Sequence, residues 1–170
     1  MHRVRGLAVG LTVAGLLAIS GFAGPAGVSA AGPDSDPELH ATLDGKPIPL
    51  EDVGKYDCDD FNYPEIRCSS SKLLFEARAV VVTTLTAVDY VTIWDGVGYS
   101  GASMNVSQDY PALSAIGWND RISSFKARNS ETGQFWTDWF YGGTWYAFCC
   151  NTQVSNLGAW SNIFSSILRT

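Results

Sequence analysis

Short runs of alternating or β-branched apolar residues, separated by glycine-rich turns, fill the second half of the chain. Such alternation predicts β-strands, because successive side chains of a strand point to opposite faces of a sheet. The predicted strands cover residues 90–94, 102–106, 122–126, 133–136, 143–148 and 164–168. Their short, even spacing indicates an all-β domain in this part of the chain.

The same half of the chain contains an internal duplication. The stretch Trp118-Asn119-Asp120-Arg121-Ile122-Ser123-Ser124 recurs in looser form as Trp160-Ser161-Asn162-Ile163-Phe164-Ser165-Ser166, 42 residues later. That offset also relates Trp94 and Tyr99-Ser100-Gly101 to Trp136 and Tyr141-Gly142-Gly143. A fixed period indicates a repeated supersecondary unit. Two units of about four strands each predict a pair of Greek keys forming a two-sheet sandwich.

The start of the chain has the pattern of an export signal. A basic beginning precedes an apolar run over residues 7–19, and Val28-Ser29-Ala30 provides small residues before a cleavage point at Ala31. The run is too short to span a bilayer, which needs about 20 apolar residues. We therefore predict a signal peptide over residues 1–30, a secreted mature protein, and no membrane segment after signal removal.

Two further segments precede the duplicated region. Residues 31–57 are predicted to be an acidic linker or extended arm, in which Pro47 and Pro49 allow only an edge strand. Residues 58–87 form a cysteine-bracketed extension. Its second half predicts a short helix after Ser70, although the β-branched residues 80–84 also fit a strand. We predict a domain over residues 88–169, with units 88–129 and 130–169.

Four cysteines in an exported chain predict two disulfides, with three possible pairings. They are Cys58, Cys68, Cys149 and Cys150. A bond between the adjacent pair would be strained, so we favour pairing each of Cys149 and Cys150 with one of the two earlier cysteines. A local bond between Cys58 and Cys68 is the main alternative. A zinc site is disfavoured, because the expected compartment is oxidising and no CxxC pair is present.

Composition excludes several function classes. The formal net charge is −6, and ten of the acids lie between residues 31 and 66, which disfavours binding to nucleic acid phosphates. After signal removal His40 is the single histidine, which argues against a His-rich zinc site and against a Ser-His-Asp triad. Asp59 and Asp60 have no apparent catalytic partner and are predicted to lie in a solvated loop. We therefore expect no enzymatic activity.

The duplicated motif resembles the βγ-crystallin superfamily. The shared pattern is an aromatic residue, four residues, a second aromatic residue, any residue and Gly, followed by Asn/Asp-Asn/Asp-x-x-Ser/Thr-Ser. The first unit matches it fully, whereas Ser161 departs from it in the second unit. The resemblance covers residues 88–169 and is closest to secreted actinobacterial single-domain proteins. It implies an all-β fold of two Greek-key motifs in a βγ-crystallin-like β-sandwich, here with a short N-terminal disulfide-linked extension.

The resemblance also implies Ca²⁺ binding at up to two sites, through the oxygen donors that this cation prefers. The first implied set is Asp120, the Arg121 carbonyl, Ser123, and the facing hairpin residues Thr137 and Asp138. The second implied set is Asn162, the Ile163 carbonyl, Ser165, and the facing hairpin residues Asp95 and Gly96. Because Asn162 carries no charge, the Asp120 site is expected to bind more tightly. Ser124 and Ser166 are expected to fix the hairpins instead.

Two alternatives to a calcium-binding structural role remain open. Some proteins of the resembling type inhibit metalloproteases, and the loop between Cys58 and Cys68 is then the candidate contact with an extracellular protease. Others resemble killer toxins, and a toxin-like role or binding to cell-wall glycans is the second alternative. For that role the exposed side chains are expected to be Trp139 and Trp145, because the segment 136–141 is too aromatic to be buried entirely.

Overall fold

The computed structural model describes residues 38–170, and the predicted signal peptide over residues 1–30 lies outside them. These residues form two β-sheets and one α-helix, α1 (Lys72–Thr86). The strands before the helix are β1 (His40–Leu43), β2 (Lys46–Ile48), β3 (Asp57–Asn62) and β4 (Glu65–Ser69). Those after it are β5 (Tyr90–Gly96), β6 (Ser100–Val106), β7 (Ser124–Arg128), β8 (Thr132–Trp136), β9 (Trp145–Cys149), β10 (Gln153–Val154) and β11 (Ser166–Arg169).

Each duplicated unit pairs through its backbone with the sheet of the other, the second unit by a strand and the first by a single bridge. The larger sheet has the order β10-β7-β5-β6-β3-β4-β1-β2, and the smaller sheet has the order β11-β8-β9. Strand β10 of the second unit pairs with β7 of the first unit. Reciprocally, Tyr110 of the first unit pairs with Ile167 in β11. Two Greek keys therefore interlock as a sandwich, and the predicted fold class is confirmed.

Apolar side chains from both sheets fill the space between the two units. Val91 and Ile93 project from β5, and both are fully buried. Phe125 of β7 meets Phe135 of β8 with ring centroids 5.1 Å apart, and Phe135 meets Phe164 at 5.3 Å. Because Phe125 and Phe135 belong to different units and different sheets, neither unit can bury its apolar face alone. The duplication is therefore one folding domain.

The front segment extends the larger sheet. Strand β3 pairs in parallel with β6, placing Cys58 opposite Met104. Strand β4 continues from β3 as an antiparallel hairpin, and β1 pairs in parallel with β4. Strand β2 is the outermost strand, and it contains Pro47, which has no N–H to donate to a further neighbour. The arm is thus joined to the first unit by backbone hydrogen bonds.

The favoured disulfide pairing was wrong. Cys58 is bonded to Cys68, and Cys149 is bonded to Cys150. Cys58 and Cys68 are directly opposed across the β3–β4 hairpin, with Cα atoms 4.0 Å apart. Cys149 instead ends β9, which lies in the other sheet. The sequence pattern could not reveal that the front cysteines face each other on one hairpin.

Helix α1 includes the β-branched run that could also have formed a strand. Its N-cap is Ser71, whose Oγ accepts a hydrogen bond from the Leu74 amide at 3.5 Å. Phe75 is its buried residue, and it lines a cleft together with Tyr90 and Thr92 on the outer face of β5. The helix itself packs against β3 and β4. Within residues 38–170, no helix has the length and apolar character needed to cross a membrane.

Candidate metal centre

The two Asn/Asp-containing motif loops brace each other through backbone hydrogen bonds. The Asp120 amide donates to the Phe164 carbonyl at 2.9 Å, and the Asn162 amide donates to the Ile122 carbonyl at 2.9 Å. Asp120 and Asn162 have φ angles of 55° and 60°, in the left-handed region that Asp and Asn tolerate better than most residues. The motif therefore selects a backbone geometry as well as a donor chemistry.

The structure exchanges the two motif serines relative to the sets that we expected. Ser123 Oγ donates to Asn162 Oδ1 at 2.9 Å, whereas Ser165 Oγ lies 3.4 Å from Asp120 Oδ1. The implied sets grouped Ser123 with Asp120 and Ser165 with Asn162, whereas the hydrogen bonds group Ser165 with Asp120 and Ser123 with Asn162. Because the units interlock, each serine faces the Asx residue of the other unit.

Each group also includes the hairpin that follows an aromatic strand. The Ser165 amide donates to the Trp136 carbonyl at 2.8 Å, directly before Thr137 and Asp138. The Ser123 amide donates to the Trp94 carbonyl at 2.9 Å, directly before Asp95 and Gly96. We define the first site as Asp120, Ser165, Thr137 and Asp138. We define the second site as Asn162, Ser123, Asp95 and Gly96.

The second serine of each motif fixes a hairpin. Ser124 Oγ donates to the Gly96 carbonyl at 2.7 Å and accepts a hydrogen bond from the Tyr99 amide at 3.2 Å. Ser166 Oγ makes the equivalent contacts, donating to the Asp138 carbonyl at 2.7 Å and accepting from the Tyr141 amide at 3.1 Å. These side chains satisfy turn groups that no strand partner reaches.

Charge distinguishes the two sites. Arg121 Nη2 lies 2.7 Å from Asp95 Oδ2, and Nη1 donates to the Gly117 carbonyl at 3.1 Å. A guanidinium therefore already neutralises the carboxylate beside the second site. At the first site, Asp120 Oδ2 accepts from Asn119 Nδ2 at 2.7 Å. Asp120 is solvent-exposed there and forms no salt bridge with any of residues 38–170.

The two carbonyl oxygens that the resemblance implies as calcium ligands, those of Arg121 and Ile163, are not engaged in backbone hydrogen bonds within residues 38–170. The described residues contain no cluster of three or more His, Cys, Asp or Glu side chains. A cation here would therefore rely on hydroxyl and carbonyl oxygens around one carboxylate. Such mixed oxygen sets suit Ca²⁺ better than softer metals, so the residues present fit this ion.

Asp59 and Asp60 were wrongly predicted to lie in a solvated loop. Both are buried on β3, with 3% and 0% of their surface exposed. Burial raises the pKa of Asp60 to about 6, opposed by its hydrogen bonds from Ser107 and Tyr110. Burial likewise raises the pKa of Asp59, opposed by Arg78, whose Nη2 lies 3.2 Å from Asp59 Oδ2. The partners come from distant sequence, which made these contacts invisible beforehand.

Burial of these acids changes what the segment between Cys58 and Cys68 can present to a partner. The segment is a hairpin, and its exposed tip is limited to Asn62 and Tyr63. Tyr63 is 47% exposed. A contact with a protease would have to use this tip, so Tyr63→Ala tests that alternative better than removal of the whole segment.

The aromatic residues of the two units differ in exposure. Trp94 is buried, whereas Trp139 and Trp145 are 55% and 51% exposed, as expected for these two residues. Phe140 is 73% exposed, and the sequence analysis did not single it out. Its position beside Trp139, in an aromatic run too long to be buried entirely, was the available signal.

Comparisons with known proteins give matches among solved structures. No protein-family model matches the chain, and no curated protein matches it. The chain is similar to a βγ-crystallin from an archaeon, with 23% identity and a TM-score of 0.44 over 49% of this chain and 99% of that chain. It is also similar to a βγ-crystallin domain from Flavobacterium johnsoniae, with 26% identity and a TM-score of 0.42 over 47% of this chain and 92% of that chain.

A third similar structure is a βγ-crystallin from Ciona intestinalis, with 20% identity and a TM-score of 0.44 over 48% of this chain and 99% of that chain. The fold assignment itself rests on the strand order. The exchange of β10 and of the Tyr110 bridge between the two sheets gives residues 88–169 the βγ-crystallin fold. The resemblance found in the sequence is confirmed at this level.

Proposed function

We propose that this chain is a secreted calcium-binding protein with a structural or binding role, and that its tighter site is the first site. The observation that carries the proposal is the convergence of Asp120 and Ser165 from different units. Ser165 Oγ lies 3.4 Å from Asp120 Oδ1, beside the hairpin that contains Thr137 and Asp138. Calcium bound there would join the two units directly.

The second site should bind calcium more weakly, for two reasons. Asn162 supplies a neutral oxygen in place of a carboxylate, and calcium affinity rises with the number of charged ligands. In addition, Arg121 holds a positive charge 2.7 Å from Asp95. A divalent cation at this site would meet that charge at close range, where repulsion is weakly screened.

Calcium binding of this kind would stabilise the fold by mass action. A ligand that binds only the folded state adds about 2.7 kcal/mol to the free energy of unfolding at 100 times its Kd. Thermal melting of the mature chain with calcium, with magnesium and with chelator tests this. Calcium should raise the Tm in the wild type and in Ser123→Ala, and should raise it little in Asp120→Ala. A Tm that calcium does not change in the wild type would refute the proposal.

Export forms the other part of the proposal. Support comes from the signal pattern over residues 1–30 and from the two disulfides, which are compatible with an oxidising compartment. N-terminal sequencing of protein recovered from culture medium should give Ala31 as the first residue. Retention of the full chain within the cells would contradict this part while leaving the calcium proposal untouched.

A further inference from the structure

The hairpin between β8 and β9 presents an aromatic surface to solvent. We call Trp136, Trp139, Phe140 and Trp145 the aromatic surface. Trp139, Phe140 and Trp145 are each more than half exposed, at 55%, 73% and 51%. Exposed rings of this size on one hairpin commonly mark interaction sites, because burying them against a partner is favourable. The smaller sheet has no helix across it comparable to α1, so this face remains open among the described residues.

Phe140 adopts a backbone conformation that its side chain disfavours. Its φ and ψ angles are 54° and 37°, in the left-handed region, where the backbone of a bulky residue is strained. The 42-residue offset makes Gly98 its counterpart, with a φ of 70°. No atom lies within 4 Å of a Cβ built on Gly98, so crowding does not explain the glycine there. The second unit therefore carries a costly exposed ring where glycine would suffice.

The other rings have smaller counterparts as well. Trp139 corresponds to Val97, and Trp145 corresponds to Ser103. Strand register supports the second equivalence, because Trp136 pairs with Trp145 just as Trp94 pairs with Ser103. The same hairpin fold is thus built without these three rings in the first unit. Their presence in the second unit is not a requirement of the fold.

The rings are held in position and bordered by polar groups. Trp139 Nε1 donates to Asn119 Oδ1 at 3.0 Å, which fixes the indole beside the first site. Trp136 and Trp145 have ring centroids 5.0 Å apart at an interplanar angle of 38°. Asp120 follows Asn119 and Asp138 precedes Trp139, so the hydrogen bond between Asn119 and Trp139 brings amide and carboxylate groups to the margin of that ring. Fixed rings with a few polar groups at their margin are typical of a small-ligand surface.

The charges around the aromatic surface select among possible ligands. Within residues 38–170, cations lie over the rings of Trp118, Trp94 and Tyr99, and none lies over a ring of this surface. The nearby carboxylates would repel phosphates of nucleic acids and anionic lipids. A neutral sugar polymer suits exposed rings that are bordered by amides and carboxylates. Its flat C–H faces stack on aromatic rings, and its hydroxyls form hydrogen bonds with amides and carboxylates.

We propose that the aromatic surface binds a neutral polysaccharide whose pyranose rings carry equatorial hydroxyls. Binding does not depend on the calcium proposal, because the rings are positioned by Asn119 and by strand pairing. Calorimetry with cellohexaose and with chitohexaose, each in chelator and in calcium, tests this directly. The wild type should bind at least one of them. Trp139→Val should weaken that binding about tenfold or more, as expected for removal of a central aromatic contact.

Phe140→Gly provides the matched control for folding, since it installs the residue of the first unit. It should weaken binding while leaving the Tm unchanged or higher, because glycine relieves the left-handed strain. Trp145→Ser tests the third ring in the same way. Absence of binding to either sugar would overturn the proposal. It would also be overturned if the variants left sugar binding unchanged, or if the rings instead governed self-association in sedimentation or attachment to phosphatidylcholine vesicles.

Discussion

Asp60 gives the clearest prediction of pH-dependent stability. The side chain is fully buried, yet it sits among hydrogen-bond donors. Its Oδ1 accepts from the Ser107 amide at 2.7 Å and from Ser107 Oγ at 2.6 Å, while its Oδ2 accepts from the Tyr110 hydroxyl at 3.1 Å. Burial nevertheless dominates and raises the pKa of Asp60 from 3.8 to about 6.

The sign of the effect follows from proton binding. Because the folded state holds the Asp60 proton more tightly than the unfolded state does, stability falls as the pH rises from about 4 to about 6. The two pKa values differ by about two pH units, so ionisation of Asp60 costs about 3 kcal/mol of folding free energy. Asp60→Asn keeps an oxygen for Ser107 and cannot ionise. Its stability relative to the wild type should therefore rise by about 3 kcal/mol between pH 4 and pH 8.

Urea denaturation followed by tryptophan fluorescence measures this difference at both pH values. Comparing variant with wild type cancels the contributions of the other titrating groups. Glu51→Gln, at an exposed acid, is the control for the loss of a carboxylate as such. The argument from burial would be refuted if the stability of Asp60→Asn relative to the wild type were the same at both pH values, or if it fell as the pH rose.

Three further predictions concern stability, each measured by urea denaturation. Ser124→Ala should cost about 1–3 kcal/mol, because two turn groups lose their partner; no loss would show that the hairpin holds itself. Replacing Cys58 and Cys68 together by alanine should cost about 2–3 kcal/mol through the lost cross-link, and peptide mapping should recover the bond between them in the wild type. Glu131→Gln should cost about 3 kcal/mol, because Arg169 then loses the buried carboxylate 2.7 Å from its Nη2; a neutral result would contradict this role.

The fold of the duplicated region followed from the sequence because its signals are local and repeated. Strands with alternating apolar and polar residues, a constant 42-residue offset and the paired motif serines all indicated two units of a sandwich. The segment before the duplicated region contains no repeated local signals of this kind. Its acidic residues predicted a solvent-exposed loop. The groups that donate hydrogen bonds to the buried Asp60 carboxylate belong to Ser107 and Tyr110, which lie 47 and 50 residues away in the chain. A buried carboxylate can be recognised only when its partners are known.

The candidate site shows the same division. The motif identified Asp120, Asn162 and the serines, because their chemistry lies within a few residues. It could not show which serine faces which Asx residue, because that depends on how the units interlock. The Arg121–Asp95 ion pair spans 26 residues and was likewise missed. Phe140 became notable only when its backbone could be compared with that of Gly98.

Calcium titration calorimetry on the mature chain tests the central claim most directly, with Asp120→Ala, Ser165→Ala and Ser123→Ala measured in parallel. The wild type should bind calcium, Asp120→Ala should lose the tighter site, and Ser165→Ala should weaken it. Ser123→Ala should leave the tighter site intact, because Ser123 faces Asn162. An absence of binding heat in the wild type would contradict the account, and loss of the tighter site in Ser123→Ala but not in Ser165→Ala would contradict the grouping of its ligands.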